Sequence, residues 1–290
     1  MKIWINGKFY PKASATINVM DHGLLYGDGV FEGLRVYGGR IFRCVEHLYR
    51  LFESAKTILL SIPMTKEALT QAMIHSVRTN KVKDGYIRLI VTRGVGRLGI
   101  DPFACHKPQV IIIADAIDLY PRHYYETGLE IVTAATHRNY AEAINPRLKS
   151  LNYLNNILAK IDAIKAGVPE ALMLNVHGYV SECSGDNIFT VKTGIVFTPS
   201  IYSAILKGIT RDTVLEIAEK EGLRVKEIVM MRHDIFNADE AFLTGTAAEI
   251  CPVVKLDGRV IGNGKPGPIT KLLLERFRDL VKTEGVDCYS

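Results

Sequence analysis

The chain has 290 residues, 48% hydrophobic and 23% charged, with 36 basic against 31 acidic side chains and a net charge of +5. That length buries a large core and points to two domains of ordinary globular composition. Basic and acidic residues are mixed along the sequence, which argues against a nucleic-acid partner. The most apolar run, Val110 to Ala114, is too short to span a bilayer. The start, Met1-Lys-Ile-Trp-Ile-Asn6, lacks the apolar h-region and small-residue cleavage site of a signal peptide. The 5 cysteines (Cys44, Cys105, Cys183, Cys251 and Cys288) are scattered and form no Cys-x-x-Cys pair. The expectation is a cytoplasmic protein with reduced thiols, no metal site and no membrane segment.

In chain order, residues 3–5 and 9–10 read as a hairpin around Asn6-Gly7. A glycine-dense stretch from Met20 to Arg35 runs into a strand over 30–37, which turns at Gly38-Gly39 into Ile41 and Phe42. Helices are predicted over roughly 44–60 and 65–80, the first with apolar residues at Leu48, Leu51, Phe52, Ala55, Ile58 and Leu59. Strands over 86–92 and 109–115 complete a small mixed N-terminal domain, 1–117. The segment 118–128 carries Pro121 and little periodicity, and is expected to be a linker.

A larger C-terminal domain, 129–290, opens with a strand over 129–135. A helix is then predicted from Ser150, a good N-cap, with apolar residues at Leu151, Leu154, Ile157, Leu158, Ile161 and Ile164. Strands over 171–175, 179–182, 188–192 and 195–198 follow, then a helix over about 210–221 that ends at Gly222. Short strands near 224–229, 240–244 and 250–255 precede an Asp257-Gly258 hairpin and a C-terminal helix from about 267. Short strands and separated helices, without regular βαβ alternation, give the class α+β.

Lys149 stands just before Ser150 and two residues from Arg147. A helix dipole and a second cation both push its ammonium toward the neutral amine that a Schiff-base lysine must offer a carbonyl. A lysine in isolation is more often a solvated loop residue. Gly94-Val-Gly-Arg-Leu-Gly99 matches a dinucleotide fingerprint, but Pro102 and a short connection leave no room for the required helix. NAD binding is therefore rejected. Lys207-Gly-Ile-Thr-Arg-Asp212 opens a helix, where backbone N–H groups either meet an anion or are simply capped by threonine. Thr244-Gly-Thr-Ala-Ala-Glu249 reads as a close-approach loop or as an ordinary turn. Glu182 is either the partner of a protonated ring nitrogen or an exposed strand-end acid. Tyr86 and Arg88 share one face of a strand, where a phenol and a guanidinium suit a carboxylate.

Seven segments in order run from Tyr26-Gly-x-x-x-Phe-Glu-Gly-x-Arg35 through Glu46-His47-x-x-Arg50, Tyr86-x-Arg88 and Lys149-x-x-Asn-Tyr153. They continue with Glu182-x-x-Gly-x-Asn187, Gly208-Ile-Thr-Arg211 and Gly245-Thr-Ala-Ala-Glu249. As a set they resemble the class IV (fold-type IV) pyridoxal-phosphate aminotransferases over nearly the whole chain, and among them the branched-chain amino acid enzymes. The resemblance implies a two-domain fold whose larger domain is a pseudo-barrel of short strands and helices.

It also implies pyridoxal 5′-phosphate as cofactor and ping-pong transfer of an amino group between L-leucine, L-isoleucine or L-valine and 2-oxoglutarate. Lys149 would be the Schiff-base lysine and proton shuttle, Glu182 the ring-nitrogen partner and Tyr153 a donor to the cofactor O3′. Arg50, Gly208, Ile209, Thr210 and Thr246 would hold the phosphate. Tyr86, Thr246 and Ala247 would take the α-carboxylate, Arg88 and Tyr26 a γ-carboxylate, and Phe31 and Tyr26 an alkyl side chain. Tyr120 would also line that pocket. The loop around Leu98 and Ile100 would close the pocket of a neighbouring subunit, which implies at least a homodimer. Cys183 and Asp186 depart from the glycine and glutamate common in relatives. Alternatives are a D-amino acid or (R)-amine transaminase, an aminodeoxychorismate lyase, or a binding module that keeps only the fold.

Overall fold

Two-residue alternation organises the first of two units in the computed structural model, which describes residues 1–117 and 120–290. This unit contains residues 1–117, 148–152 and 281–290. Its strands are β1 (Lys2–Ile5), β2 (Lys8–Pro11), β3 (Gly29–Tyr37), β4 (Arg40–Ile41), β5 (Gly85–Thr92), β6 (Gln109–Asp115) and, from the far end of the chain, β16 (Val286–Asp287). They form an antiparallel sheet in the order β16-β4-β3-β5-β6-β1-β2. Val30, Leu34 and Val36 of β3 and Ile87, Leu89 and Val91 of β5 lie in one core with residues of two helices. Those helices are α2 (Cys44–Thr57) and α3 (Lys66–Asn80), which bring Leu48, Leu51, Leu69 and Met73. Each such side chain is worth about 1.5–3 kcal/mol when fully buried, so this face fixes the register.

A short helix α1 (His22–Tyr26) precedes β3. Helix α2 ends at Thr57, before the predicted limit, because the next carbonyls are captured from outside. Arg93 donates to the carbonyls of Ile58 (2.6 Å) and Leu59 (2.8 Å) and pairs through its other nitrogens with Asp28 (2.8 and 2.9 Å). The Gly94–Gly99 stretch is a connection between the neighbouring antiparallel strands β5 and β6, and no α-helix starts in it.

The segment around Lys149 departs from its expected helix. The Phe31 N–H donates to the Lys149 carbonyl (3.1 Å) and the Leu151 N–H to the Gly29 carbonyl (3.0 Å), while Ser150 bridges Val30. Ser54 Oγ on α2 accepts the Lys149 N–H at 3.2 Å. Residues 149–151 therefore run as an extra ribbon beside the start of β3. Pairing with β3 satisfies backbone groups that a helix from Ser150 would otherwise have used.

The second unit contains residues 120–147 and 153–280 among those described. Its strands are β7 (Leu129–Thr133), β8 (Glu170–Leu174), β9 (Val180–Cys183), β10 (Asn187–Lys192), β11 (Ile195–Pro199), β12 (Val225–Ile228), β13 (Glu240–Gly245), β14 (Glu249–Leu256) and β15 (Arg259–Val260). They follow the order β12-β11-β10-β13-β14-β7-β8-β9, with β15 on β14. The sheet curls, and β9 at one end comes back against β10 and β11. Helices α4 (His123–Thr127), α5 (Leu154–Lys165), α6 (Ile209–Lys220), α7 (Arg232–Phe236) and α8 (Pro268–Thr283) complete the chain. Two parallel strand pairs, β7/β8 and β11/β12, are joined through α5 and α6.

Asp118 and Leu119 of the expected linker lie outside the described residues; the rest of it is not an open tether. Helix α4 forms there, and Tyr125 Oη donates to the Ala248 carbonyl (2.9 Å). Helix α5 begins at Leu154, with Tyr153 at its N-cap. It buries Asn156, Ala159 and Ala163, the two alanines packing with Ala171 and Met173 of β8. The predicted apolar stripe faces outward, Leu154 and Ile164 each 66% exposed and Ile157, Leu158 and Ile161 exposed between them. Periodicity identifies a helix without saying which face is inward, and here the small residues win the close approach to the strand.

Candidate active site

The first unit supplies one set of groups on the sheet face opposite its core. Antiparallel register sets Gly33 across from Arg88, Phe31 across from Ile90 and Arg35 across from Tyr86, so these side chains share a face. Glycine at 33 makes room for the Tyr86 ring, since a Cβ there would lie 1.7 Å from Tyr86 Oη and the phenol would have to move. The Phe31 ring is the hub: Arg88 Cζ stands 4.5 Å from its centroid and Lys149 Nζ 4.7 Å. The extended ribbon has placed Lys149 there. Helix α5 has Tyr153 as its N-cap, so the helix expected from Ser150 does not start beside Lys149. Tyr26 Oη accepts the Gly99 N–H at 2.9 Å, while Leu98 (69%) and Ile100 (86%) on the same loop stand in solvent.

Glu32 is the anomaly of β3. It alternates onto the apolar face with Val30 and Leu34 and is 0% exposed. Two residues one turn apart on α2 resolve it. Arg50 donates from Nε to Oε1 (2.7 Å) and from Nη2 to Oε2 (2.9 Å), and His47 Nδ1 lies 2.8 Å from Oε2. Burial alone would raise the carboxyl pKa, but Arg50 and His47 outweigh it and hold Glu32 well below the usual carboxylate range. Burial pushes the His47 pKa down against the pull of Glu32, and Arg50 and Lys149 add to the fall.

The second unit supplies a fixed carboxylate and two backbone cradles. Glu182, on β9 and 4% exposed, accepts Arg138 Nε–H at Oε1 (2.8 Å). Its Oε2 accepts Asn187 Nδ2–H (3.1 Å) and the Leu206 N–H (2.9 Å). Asn187 also donates to the Leu206 carbonyl (2.9 Å), tying the carboxylate to the loop that enters α6. Helix α6 starts behind Gly208 without the expected threonine cap, which leaves the N–H groups of Ile209 and Thr210 without an intrahelical acceptor. Helix α8 contrasts with it, for Glu240 accepts the N–H groups of Ile269 (3.1 Å) and Thr270 (2.7 Å). The turn Thr246-Ala247 follows Gly245, where a Cβ would lie 1.9 Å from Asp186 Oδ1. Beside it, the buried Thr244 hydroxyl has no partner among the described residues. Tyr153 stands half-buried at the start of α5.

Tyr120 lies within the second unit's core, 5% exposed, its hydroxyl donating to Asp186 Oδ2 (3.0 Å) and Glu170 Oε2 (3.3 Å). Burial, then Glu170, raises Asp186 to about 7, while the phenol donor works the other way. Burial also raises Tyr120 and the thiol of Cys183, so both stay protonated. The shortened side chain at 186 thus meets a tyrosine.

The family model for class IV amino-transferases matches residues 29–256. This chain is a class IV aminotransferase. The putative branched-chain-amino-acid aminotransferase of Methanocaldococcus jannaschii is 50% identical over 289 residues, covering 100% of this chain and 99% of that protein. Branched-chain amino acid aminotransferase from Escherichia coli superposes with a TM-score of 0.95 at 36% identity, covering 100% of this chain and 97% of that one. The T.th. branched-chain amino acid aminotransferase complexed with N-(5′-phosphopyridoxyl)-L-glutamate follows at TM-score 0.92 and 38% identity, covering 97% and 93%.

As a class IV aminotransferase, this protein uses pyridoxal phosphate, and its residues fit that group. An uncapped helix start and a glycine turn whose Cβ would clash suit a phosphate, the unpartnered Thr244 hydroxyl remains available, and a buried carboxylate locked by three donors suits a ring nitrogen. Three contributors escaped the sequence reading. Asn187 lay inside a quoted motif, and Glu32 could have been found as a charge on the apolar face of a strand. Arg138 sits in an aperiodic stretch and gave no signal.

Proposed function

We propose that this aminotransferase exchanges the amino group between L-leucine, L-isoleucine or L-valine and 2-oxoglutarate by a ping-pong mechanism. The observation that carries this reading is the face on which an aromatic ring, a phenol and a guanidinium meet the Lys149 amine: Phe31, Tyr86, Arg88 and Lys149. An alkyl side chain packs on Phe31 and Tyr26, and a γ-carboxylate takes Arg88. The α-carboxylate is taken by Tyr86 with the backbone at Thr246 and Ala247. When bound, the cofactor supplies an electron sink for the carbanion left at the substrate Cα. Glu182, held by Arg138 and Asn187, would face the ring nitrogen and favour its protonated form. Arg50, Ile209, Thr210 and Thr246 would bind the phosphate, and Tyr153 would donate to O3′. Lys149 would attach the cofactor through Nζ and would serve as acid and base for the proton at the substrate Cα.

We further propose a cytoplasmic homodimer. The outward stripe of α5 and the exposed Leu98 and Ile100 are surfaces that a second copy would cover. No helix among the described residues is long and apolar enough to cross a membrane. Sedimentation of the protein with Ile157→Asp and Ile161→Asp should show monomers. Half-reaction spectra with L-leucine, D-alanine and (R)-1-phenylethylamine test the substrate class. L-leucine alone should consume the visible band of the lysine-bound cofactor, and a response to D-alanine without one to L-leucine would sink the reading. Borohydride reduction should link the cofactor mass to the peptide bearing Lys149.

A further inference from the structure

A pocket for both an alkyl group and a carboxylate must dispose of its arginine when the alkyl group is bound. Arg88 is on β5 and Phe31 is its diagonal neighbour on β3, on the same face, with the guanidinium carbon 4.5 Å from the Phe31 centroid and 5.5 Å from that of Tyr86. Both distances lie in the range of cation–π attraction, which strengthens when the ring is shielded from water, and Phe31 is only 6% exposed. Lys149 Nζ stands 4.7 Å from the same centroid. A ring face attracts the guanidinium without hydrogen-bonding it, so Arg88 is held there and remains ready to leave for an anion. A substrate carboxylate offers two parallel charge-assisted hydrogen bonds, which a ring face cannot match.

We propose that Phe31 is a specificity-determining residue: its ring holds the Arg88 guanidinium while an alkyl side chain is bound and yields it to the ω-carboxylate of a dicarboxylic substrate. Phe31 thereby does more than line the pocket, because it offers the cation a favourable place beside an apolar ligand. The inference rests on the substrate reading given above.

The test compares Phe31→Leu, Phe31→Met and Phe31→Tyr holoenzymes, each also combined with Arg88→Met. Two readouts are taken: kcat/KM for L-leucine and L-glutamate, and calorimetric Kd for the unreactive acids 4-methylpentanoate and glutarate. Removing the ring in Phe31→Leu or Phe31→Met should lower the leucine-to-glutamate ratio and weaken 4-methylpentanoate relative to glutarate, each about tenfold. Phe31→Tyr, which keeps a ring, should hold both ratios within about twofold. In the Arg88→Met background, Phe31→Leu should cost leucine less than about twofold, since no cation remains to be held. An equal loss of leucine activity in both backgrounds would show a packing role and overturn the proposal. Wild-type enzyme that binds neither acid overturns the substrate reading and this inference together, whereas turnover of both substrates with unmoved ratios overturns the inference alone.

Discussion

Each unit buries carboxylates, and the two treat them in opposite ways. Glu32 in the first unit meets a guanidinium in bidentate contact and an imidazole, so it is ionised throughout the working pH range. In the second unit the nearby guanidinium of Arg138 is committed to Glu182. Asp186 and Glu170 share the Tyr120 phenol, Glu170 accepts the N–H groups of Ala171 (2.7 Å) and Ser184 (3.1 Å) and lies 3.9 Å from Lys160, and Asp186 keeps its proton to about 7. Burial acts equally on both carboxylates; the supply of cations decides which ionises. The first arrangement fixes a positive side chain, Arg50, while the second adds little negative charge beside Glu182.

The largest expected effect comes from breaking the cation-rich side. Glu32→Ala should cost roughly 3–5 kcal/mol in urea unfolding, because a buried guanidinium loses its counter-ion, and Glu32→Gln should fall between it and wild type. A loss below about 1 kcal/mol would mean that the pair is no more than a surface bridge. Next, Arg138→Met takes from Glu182 a charge-assisted bond worth about 1.5–3 kcal/mol, a fall of roughly 10- to 100-fold in kcat/KM. Its absorbance titration should show the ring nitrogen losing its proton at lower pH, a shift that loss of packing alone would not produce.

Stability against pH separates the two carboxylates by sign. The lowered His47 and Glu32 let the unfolded chain bind protons that the folded chain refuses, so stability falls on acidification below their ordinary values of 6.5 and 4.5. Asp186 is raised, so its folded state holds an extra proton between 3.8 and about 7, and stability falls as pH rises through that window. Asp186→Asn mimics the protonated form and should remove a slope of up to about 1.4 kcal/mol per pH unit there, measured by urea titration at several pH values. An unchanged slope would place the proton on another group. The smallest effect is expected for Tyr120→Phe, about 0.5–1.5 kcal/mol. Because the phenol lowers the Asp186 pKa, its removal should move the same limb to higher pH.

The sequence by itself determined much of this protein. Strand alternation placed Tyr86 and Arg88 on one face, glycines and turns marked the strand ends, and seven ordered motifs were specific enough to name a family. These are local properties, set by a few neighbouring residues and elementary geometry. Other features were settled only in the tertiary structure. Ser150 is a good N-cap in isolation, yet it pairs with β3, because strand edges left by residues 29–31 compete for the same backbone groups. The apolar stripe of α5 faces out because two alanines pack closer to β8 than leucines can. Arg138 was invisible because its meaning depends on Glu182, 44 residues away. Lys149 shows both sides: its neighbours in sequence suggested chemistry, and only the fold supplied the aromatic ring beside its amine and the arginine against the same ring.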